Sequence, residues 1–73
     1  MAEINLTTEV AGRVCAISTV EGANVTNGDD ILFVEAMKME IPVSTSAAGK
    51  IKSILVAIDD PVVEGQVVAI LET

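Results

Sequence analysis

Residues 10–35 read VAGRVCAISTVEGANVTNGDDILFVE, and residues 47–72 read AAGKIKSILVAIDDPVVEGQVVAILE. The two stretches align without a gap at an offset of 37 positions, and six of the 26 aligned pairs are identical: Ala11/Ala48, Gly12/Gly49, Ile17/Ile54, Val25/Val62, Gly28/Gly65 and Glu35/Glu72. Two of these pairs are glycines, which mark positions where the backbone conformation is demanding. The alignment therefore predicts two copies of one structural unit.

Each copy has the pattern of two β-strands connected by turns. A glycine opens the first strand, a polar turn follows, and a Gly-containing turn precedes the second strand. In the first copy this second turn is Asn27-Gly28, a strong tight-turn signal because both residues tolerate positive φ. The predicted strands cover residues 13–19, 30–35, 50–56 and 67–72.

Apolar residues indicate which faces of these strands are buried. Residues 31–34 and 67–71 are almost continuously apolar, which is typical of strands deep in a sandwich. Residues 50–55 alternate instead, and this pattern places Ile51, Ser53 and Leu55 on one face. The opposite, solvent-facing side would then carry the other three residues: Lys50, Lys52 and Ile54.

The segment between the copies is predicted to form a β-hairpin, from residues 31–36 and 39–45, with Met37 and Lys38 at its tip. Residues 37–41 have good helix propensity, but the run is too short to nucleate a helix, and Pro42 favours an extended residue before it. With a further strand at residues 4–7, about eight short strands are expected. The predicted fold is all-β: a flattened β-barrel of two antiparallel sheets with internal pseudo-two-fold symmetry, as a single domain over residues 1–73.

Composition excludes several classes of function. Eleven acidic against four basic residues give a net charge of −7, which disfavours nucleic acid and anionic membrane surfaces as partners. Cys15 is the single cysteine and the chain has no histidine, so no internal disulfide, zinc site or Ser-His-Asp arrangement is expected. No apolar run approaches the ~20 residues that span a bilayer, and no signal peptide opens the chain. We therefore expect no membrane insertion and a cytoplasmic location.

The hairpin tip is the part of the sequence that the repeat does not explain. Glu35 has a counterpart in Glu72, so a structural role for it is at least as well supported as a functional one. Lys38 has no counterpart in the second copy. The ordinary interpretation of Lys38 is a solvated surface lysine, and for Met37 and Met39 it is core filling, more so for Met39, which shares a strand face with Ile41.

The segment Ala36-Met37-Lys38-Met39 resembles the attachment motif of biotinyl domains, the biotin carboxyl carrier family, and matches its core motif without change. The resemblance extends over most of the chain, through Val20-Glu21-Gly22, residues 39–43 and 49–51, and the glycines at 12, 28, 49 and 65. It implies the barrel-sandwich hybrid fold. The chain departs from the family pattern at residues 8–10 and 59–61, which affects local turns but not the hairpin.

The resemblance implies a carrier rather than an enzyme. Lys38 would hold covalent biotin, attached by a biotin protein ligase, and would shuttle a carboxyl group between a biotin carboxylase and a carboxyltransferase. No residue is expected to be catalytic or to bind metal. Residues around the lysine would serve recognition by the ligase and partners: Glu35, Ala36, Met37, Met39 and Glu40.

Two alternatives stay open. A lipoyl domain has the same fold and the same modified lysine, but that family usually has Asp before the lysine and Ala or Val after it, where this chain has Met37 and Met39. An unmodified barrel-sandwich module that only mediates protein contacts is the other. Met1 and the lack of an Ala/Pro-rich linker favour a free-standing carrier. The isolated domain is expected to be monomeric.

Overall fold

The computed structural model describes residues 2–73, and the strands it contains form two four-stranded antiparallel sheets. The first sheet has the order β1-β8-β6-β3 and the second β5-β4-β2-β7. The strands are β1 (Glu3–Thr7), β2 (Gly12–Ile17), β3 (Asn24–Val25), β4 (Asp30–Ala36), β5 (Met39–Ser44), β6 (Gly49–Ile54), β7 (Pro61–Val62) and β8 (Val67–Glu72). This confirms the predicted all-β fold: the sheets are not closed, and a flattened barrel-sandwich describes them. Among residues 2–73 no helix is long and apolar enough to cross a membrane.

The repeat is longer in the structure than in the sequence alignment. Strands β2, β3 and β4 lie 37 positions before β6, β7 and β8, as the alignment predicted. In addition β1 corresponds to β5, because β1 pairs with β8 in the way that β5 pairs with β4, with Glu3 opposite Glu72 and Glu40 opposite Glu35. The first unit therefore spans residues 3–35 and the second unit residues 40–72.

The two units exchange strands, so that each sheet contains two strands from each unit. In the first sheet β1 and β3 come from the first unit and flank β8 and β6 from the second. In the second sheet β5 and β7 come from the second unit and flank β4 and β2 from the first. Neither unit can complete its hydrogen-bonded ladders without the other, which is why the chain folds as one body.

The core consists of two clusters that the repeat maps onto each other residue by residue. Each cluster holds six buried aliphatic side chains, and each member lies 37 positions from its counterpart: Leu6/Val43, Val25/Val62, Ile31/Val68, Ile51/Val14, Ala69/Leu32 and Leu71/Val34. A fully buried side chain of this size contributes about 1.5–3 kcal/mol relative to an exposed one. The core therefore needs no aromatic ring, and Phe33 is only half-buried.

A bulge in β6 overturns the alternation predicted for residues 50–55. The pairing of β6 with β8 shifts register between Ile51 and Ser53, which changes the direction of every side chain that follows. As a result Ile54, predicted on the solvent side, packs against the core, and Leu55 is 52% exposed. An equivalent shift occurs in β2, between Val14 and Ala16.

Two buried threonines fasten the turns at equivalent places. The hydroxyl of Thr45 donates to the carbonyl of Ala47 at 2.7 Å, and the carbonyl of Thr45 accepts from the N–H of Gly28 at 2.8 Å. Thr8 makes the same pair of contacts in the other unit, its carbonyl accepting from Gly65 at 2.8 Å. Because both hydroxyls are bonded, their burial carries little penalty.

Gly12 allows the end of β4 next to the hairpin turn to approach β2 closely. A Cβ at this position would overlap the carbonyl oxygen of Glu35 and lie 2.9 Å from a methyl carbon of Val34. The equivalent Gly49 is slightly less crowded, with the carbonyl oxygen of Glu72 at 2.6 Å. Both contacts involve backbone, which cannot move aside in the way that a flexible side chain can.

We expect Gly12→Ala to destabilise the fold by about 1–3 kcal/mol, the usual cost of forcing an atom into a packed site. Gly49→Ala should cost less, because its Cβ overlaps its carbonyl neighbour less deeply. Thermal or urea unfolding of the two variants beside the unchanged protein measures both effects. Unfolding midpoints that stay at the original value for Gly12→Ala would show that the predicted overlap is absent.

Candidate functional site

The hairpin between β4 and β5 ends in a two-residue turn of unusual conformation. Ala36 and Met39 form the last paired residues of the ladder, and Met37 and Lys38 between them have φ values of 52° and 64°. A two-residue loop with positive φ at both positions is a type I′ turn, for which Asn-Gly is the preferred sequence. A residue with a Cβ costs about 1–2 kcal/mol in this left-handed region. The tip is therefore a strained turn that presents a methionine and a lysine.

The repeat accounts for the other positive-φ positions but not for these two. Gly28 (94°) corresponds to Gly65 (84°), and Gly22 (90°) corresponds to Asp59 (79°). Each of those pairs therefore marks a turn that the scaffold uses twice. Strain held by non-glycine residues without a scaffold counterpart is typical of functional positions, and the tip is the place in residues 2–73 where it occurs.

The position equivalent to the hairpin tip is occupied by the two ends of the chain. The N–H of Thr73 donates to the carbonyl of Ala2 at 2.9 Å, so the ends continue the β1–β8 ladder as Ala36 and Met39 continue the β4–β5 ladder. Equivalent points lie on opposite sides of the pseudo-two-fold axis. Lys38 thus projects from the side of the molecule away from the chain ends.

All three central residues of the tip are exposed. The side chain of Met37 is 90% exposed and that of Met39 is 62% exposed, so Met39 does not fill the core as its strand position suggested. Lys38 is exposed too, and among residues 2–73 its amine has neither an ion-pair partner nor a side-chain hydrogen bond. The structure leaves this amine accessible to a reactant from solvent.

The flanking glutamates differ in their surroundings. Glu35 forms an ion pair with Arg13, with 3.1 Å between the guanidinium Nη2 and the carboxylate Oε1. Its counterpart Glu72 lies opposite Lys50 in the corresponding ladder, which supports a structural role for Glu35. Glu40 lies directly across from Glu35, exposed, and Ala36 is half-buried at the end of β4.

The distribution of charged side chains around Lys38 differs from that on the equivalent, opposite side of the scaffold. On the opposite side Glu3 forms an ion pair with Lys52, and the hydrogen bond and charge of Glu3 raise the pKa of Lys52. The residue equivalent to Lys52 is Cys15, whose thiol lies 3.5 Å from the carbonyl of Phe33. The equivalent of Glu3, which is Glu40, therefore lacks this cation.

A shallow apolar groove adjoins the tip. Three separated segments contribute to it, and its lining residues are Glu9, Val10, Ala11, Ala36, Met37, Met39, Ile41 and Glu64. Sequence reasoning predicted the hairpin residues but not Glu9, Val10, Ala11 or Glu64, because folding brings these together from distant positions. Within residues 2–73 no group of three or more acidic, Cys or His side chains is arranged to hold a metal ion.

Comparison with known proteins shows similarity over nearly the whole chain. The family model described as "Biotin-requiring enzyme" matches residues 2–71. The chain is 32% identical over 71 residues to the "Biotinylated protein TB7.3 homolog" of Mycobacterium leprae (strain TN), covering 97% of this chain and 99% of the relative.

Solved structures are similar as well. The urea carboxylase of Kluyveromyces lactis matches with a TM-score of 0.94 and 32% identity, over 99% of this chain but 6% of the carboxylase. The lipoyl domain of the 2-oxoglutarate dehydrogenase complex from Azotobacter vinelandii matches with a TM-score of 0.73 and 25% identity, over 88% of this chain and 81% of that domain. The chain thus spans the full length of a small relative and a small part of a large one.

Replacing Met37 or Lys38 by glycine should stabilise the fold, because glycine adopts positive φ without the steric cost of a Cβ. The net gain is about 0.5–1 kcal/mol, since glycine also loses more entropy on folding, and it should raise Tm by about 2–8 °C. Met39→Gly is the matched control: Met39 lies in β5 without positive φ, so this variant should lose stability. A lower Tm for both tip variants would contradict the assigned strain.

Proposed function

Because this chain belongs to the biotin-requiring enzyme family, we propose that it is a biotin carboxyl carrier and that Lys38 is the residue to which biotin is attached. The observation that carries this proposal is the conformation of the tip. Lys38 is exposed, its amine is unpaired among the described residues, and it stands in a strained turn that the scaffold repeat does not require. The name of the Mycobacterium leprae relative, a biotinylated protein, supports it.

The tip fits a covalently attached group. The turn holds the lysine beyond the last paired residues, Ala36 and Met39, so no strand shields the amine from an enzyme that approaches end-on. Amide formation needs a neutral amine and an activated acid, and a biotin protein ligase would supply both conditions at Lys38.

Attachment is an amide-forming step. The deprotonated Nζ of Lys38 attacks the carboxyl carbon of biotinyl-adenylate, the bond from that carbon to the phosphate oxygen breaks, and AMP leaves. One proton is released from the attacking nitrogen. The chain contributes the nucleophile and its position, and the ligase contributes the activation.

The modified domain acts as a rigid body with a flexible arm. The body measures 36 × 18 × 17 Å and holds its hairpin by pairing of β4 on both edges, with β5 and with β2. Biotin bound there would carry a carboxyl group from one active site to another. Tethering replaces free diffusion by a high local concentration at each site.

The residues beside Lys38 would be contacted by the ligase and by the partner enzymes that bind the carrier. Met37 and Met39 are exposed and conformationally adaptable, which suits contact with several partners. The small side chain of Ala36 leaves space for an enzyme to approach Lys38, and the exposed carboxylate of Glu40 places a negative charge beside the tip. Glu35 contributes chiefly through its ion pair with Arg13, which links β4 to β2 next to the tip.

The partners proposed are a biotin protein ligase, a biotin carboxylase and a carboxyltransferase. The similarity to a urea carboxylase, of which this chain covers 6%, supports a place within a carboxylase system. We further propose that residues 1–73 form a single carrier domain, of which Met1 lies outside the described residues. The domain is proposed to be monomeric and to be located in the cytoplasm.

A lipoyl group is the second candidate for Lys38, favoured by the similarity to a lipoyl domain at a TM-score of 0.73. The two groups would be attached through the same amide bond. They are distinguished by the mass that the chain gains, so one measurement covers both.

Incubation with a biotin protein ligase, biotin and ATP should add one biotinyl group to the chain, as seen by intact mass and avidin blotting. Lys38→Arg should abolish the gain, because a guanidinium does not form the amide. Lys50→Arg and Lys52→Arg, at the other exposed lysines, should leave it unchanged. Biotin on the Lys38→Arg variant would sink the assignment. A chain that gains no biotin but gains a lipoyl group with a lipoate ligase, lipoate and ATP would favour the second candidate.

Met37→Ala and Met39→Ala should each lower kcat/KM for biotinylation about fivefold or more, corresponding to loss of ~1 kcal/mol of recognition. Val20→Ala is the control, since Val20 is an exposed apolar residue, at 68% exposure, that follows β2 where it lies beside Ile31, at the end of β4 away from the tip. Equal rates for all three variants would show that the ligase does not contact the methionines.

A further inference from the structure

We propose that the groove beside the tip is a resting site for the ring system of the chain's own biotinyl arm between transfers. The tip groove is the one lined by Glu9, Val10, Ala11, Ala36, Met37, Met39, Ile41 and Glu64. The inference rests on the proposed function, because it requires biotin on Lys38. It adds a binding role for residues that the attachment reaction does not use.

The location of the groove makes the arm its natural occupant. Met37 and Met39, the two neighbours of Lys38, form part of its wall. An arm that starts at Lys38 therefore begins at the rim, and folding back requires only rotation about single bonds. A short flexible tether gives an effective concentration in the millimolar range, so even a site of millimolar affinity would be occupied about half of the time.

The lining has the chemistry that a biotin ring system needs. Val10, Ala11 and Ile41 provide an apolar floor for the sulfur-containing ring and the methylene chain. Glu9 and Glu64 are exposed residues of the same lining, and a carboxylate accepts hydrogen bonds from ureido N–H groups. Neither carboxylate has an ion-pair partner within residues 2–73.

The fold does not require these two acids, because neither equivalent position in the other unit holds an acid. The residue equivalent to Glu9 is Ser46, and the residue equivalent to Glu64 is Asn27. The apolar floor, by contrast, has close counterparts across the axis: Ile4 corresponds to Ile41, Ala47 to Val10 and Ala48 to Ala11. The two carboxylates are thus present beside Lys38, and neither equivalent position on the opposite side carries one.

The test compares amide and methyl NMR spectra of the chain before and after enzymatic biotinylation, with intact mass to confirm the modification. We expect signals of Val10, Ala11, Ile41 and Glu64 to shift along with those of the tip. Signals of the equivalent residues on the opposite side should stay in place: Ala47, Ala48, Ile4 and Asn27.

A double variant, Glu9→Ser with Glu64→Asn, tests the acids with residues that the scaffold already accepts at the equivalent positions. It should gain biotin as the unchanged chain does, but the shifts at Val10, Ala11 and Ile41 should fall by at least half. Avidin should also capture its biotin faster, by about twofold if the groove holds the ring half of the time.

The outcomes separate the two proposals. A chain that gains no biotin overturns the proposed function and the resting site together. A chain that gains biotin, with shifts confined to Met37, Lys38 and Met39, overturns the resting site alone. Shifts of full size in the double variant overturn the role of the two carboxylates and, with it, recognition of the ureido group.

Discussion

The structure depends on the exchange of strands between two copies of one unit. Each sheet takes two strands from residues 3–35 and two from residues 40–72, so the ladders and both aliphatic clusters form only when the two units are interlocked. A domain of this size buries about 60% of its unfolded surface and has little stability to spare. Interlocking lets a chain with a single aromatic residue close a core from Val, Ile, Leu and Ala alone.

The hairpin tip inherits its properties from this exchange. Residues 36–39 are the one covalent connection between the units, and β4 is held on both edges by β5 and β2. Because the ladders on either side determine where the turn must lie, the strain of positive φ at Met37 and Lys38 can be tolerated without a glycine. A rigid body that ends in a strained, exposed lysine suits a carrier, whose modified group has to be the part that moves.

The features on which the proposed function rests lie where the symmetry of the scaffold fails. The scaffold repeats its core, its bulges, its threonine bonds and its glycine contacts, and these features are explained by folding. Lys38 has no equivalent, and Cys15 of the first unit corresponds to Lys52 of the second. The positions equivalent to Glu9 and Glu64 hold Ser46 and Asn27. An internal repeat therefore allows each residue to be compared with the equivalent residue of the other unit. A feature found in both units is explained by the fold, and a feature found in one unit is not.

The sequence by itself determined the all-β class, the doubled unit, the hairpin and the unmatched lysine. These depend on local signals, namely turn glycines, apolar strands and a short motif, which do not need the rest of the chain. Only the tertiary structure decided the equivalence of β1 and β5, because that follows from which strands they join. It also decided the side on which Ile54 lies, since a bulge resets the alternation, and the exposure of Met39 at the end of its strand. The groove beside the tip was likewise beyond the sequence, because its residues come from three segments that meet only after the two units have interlocked.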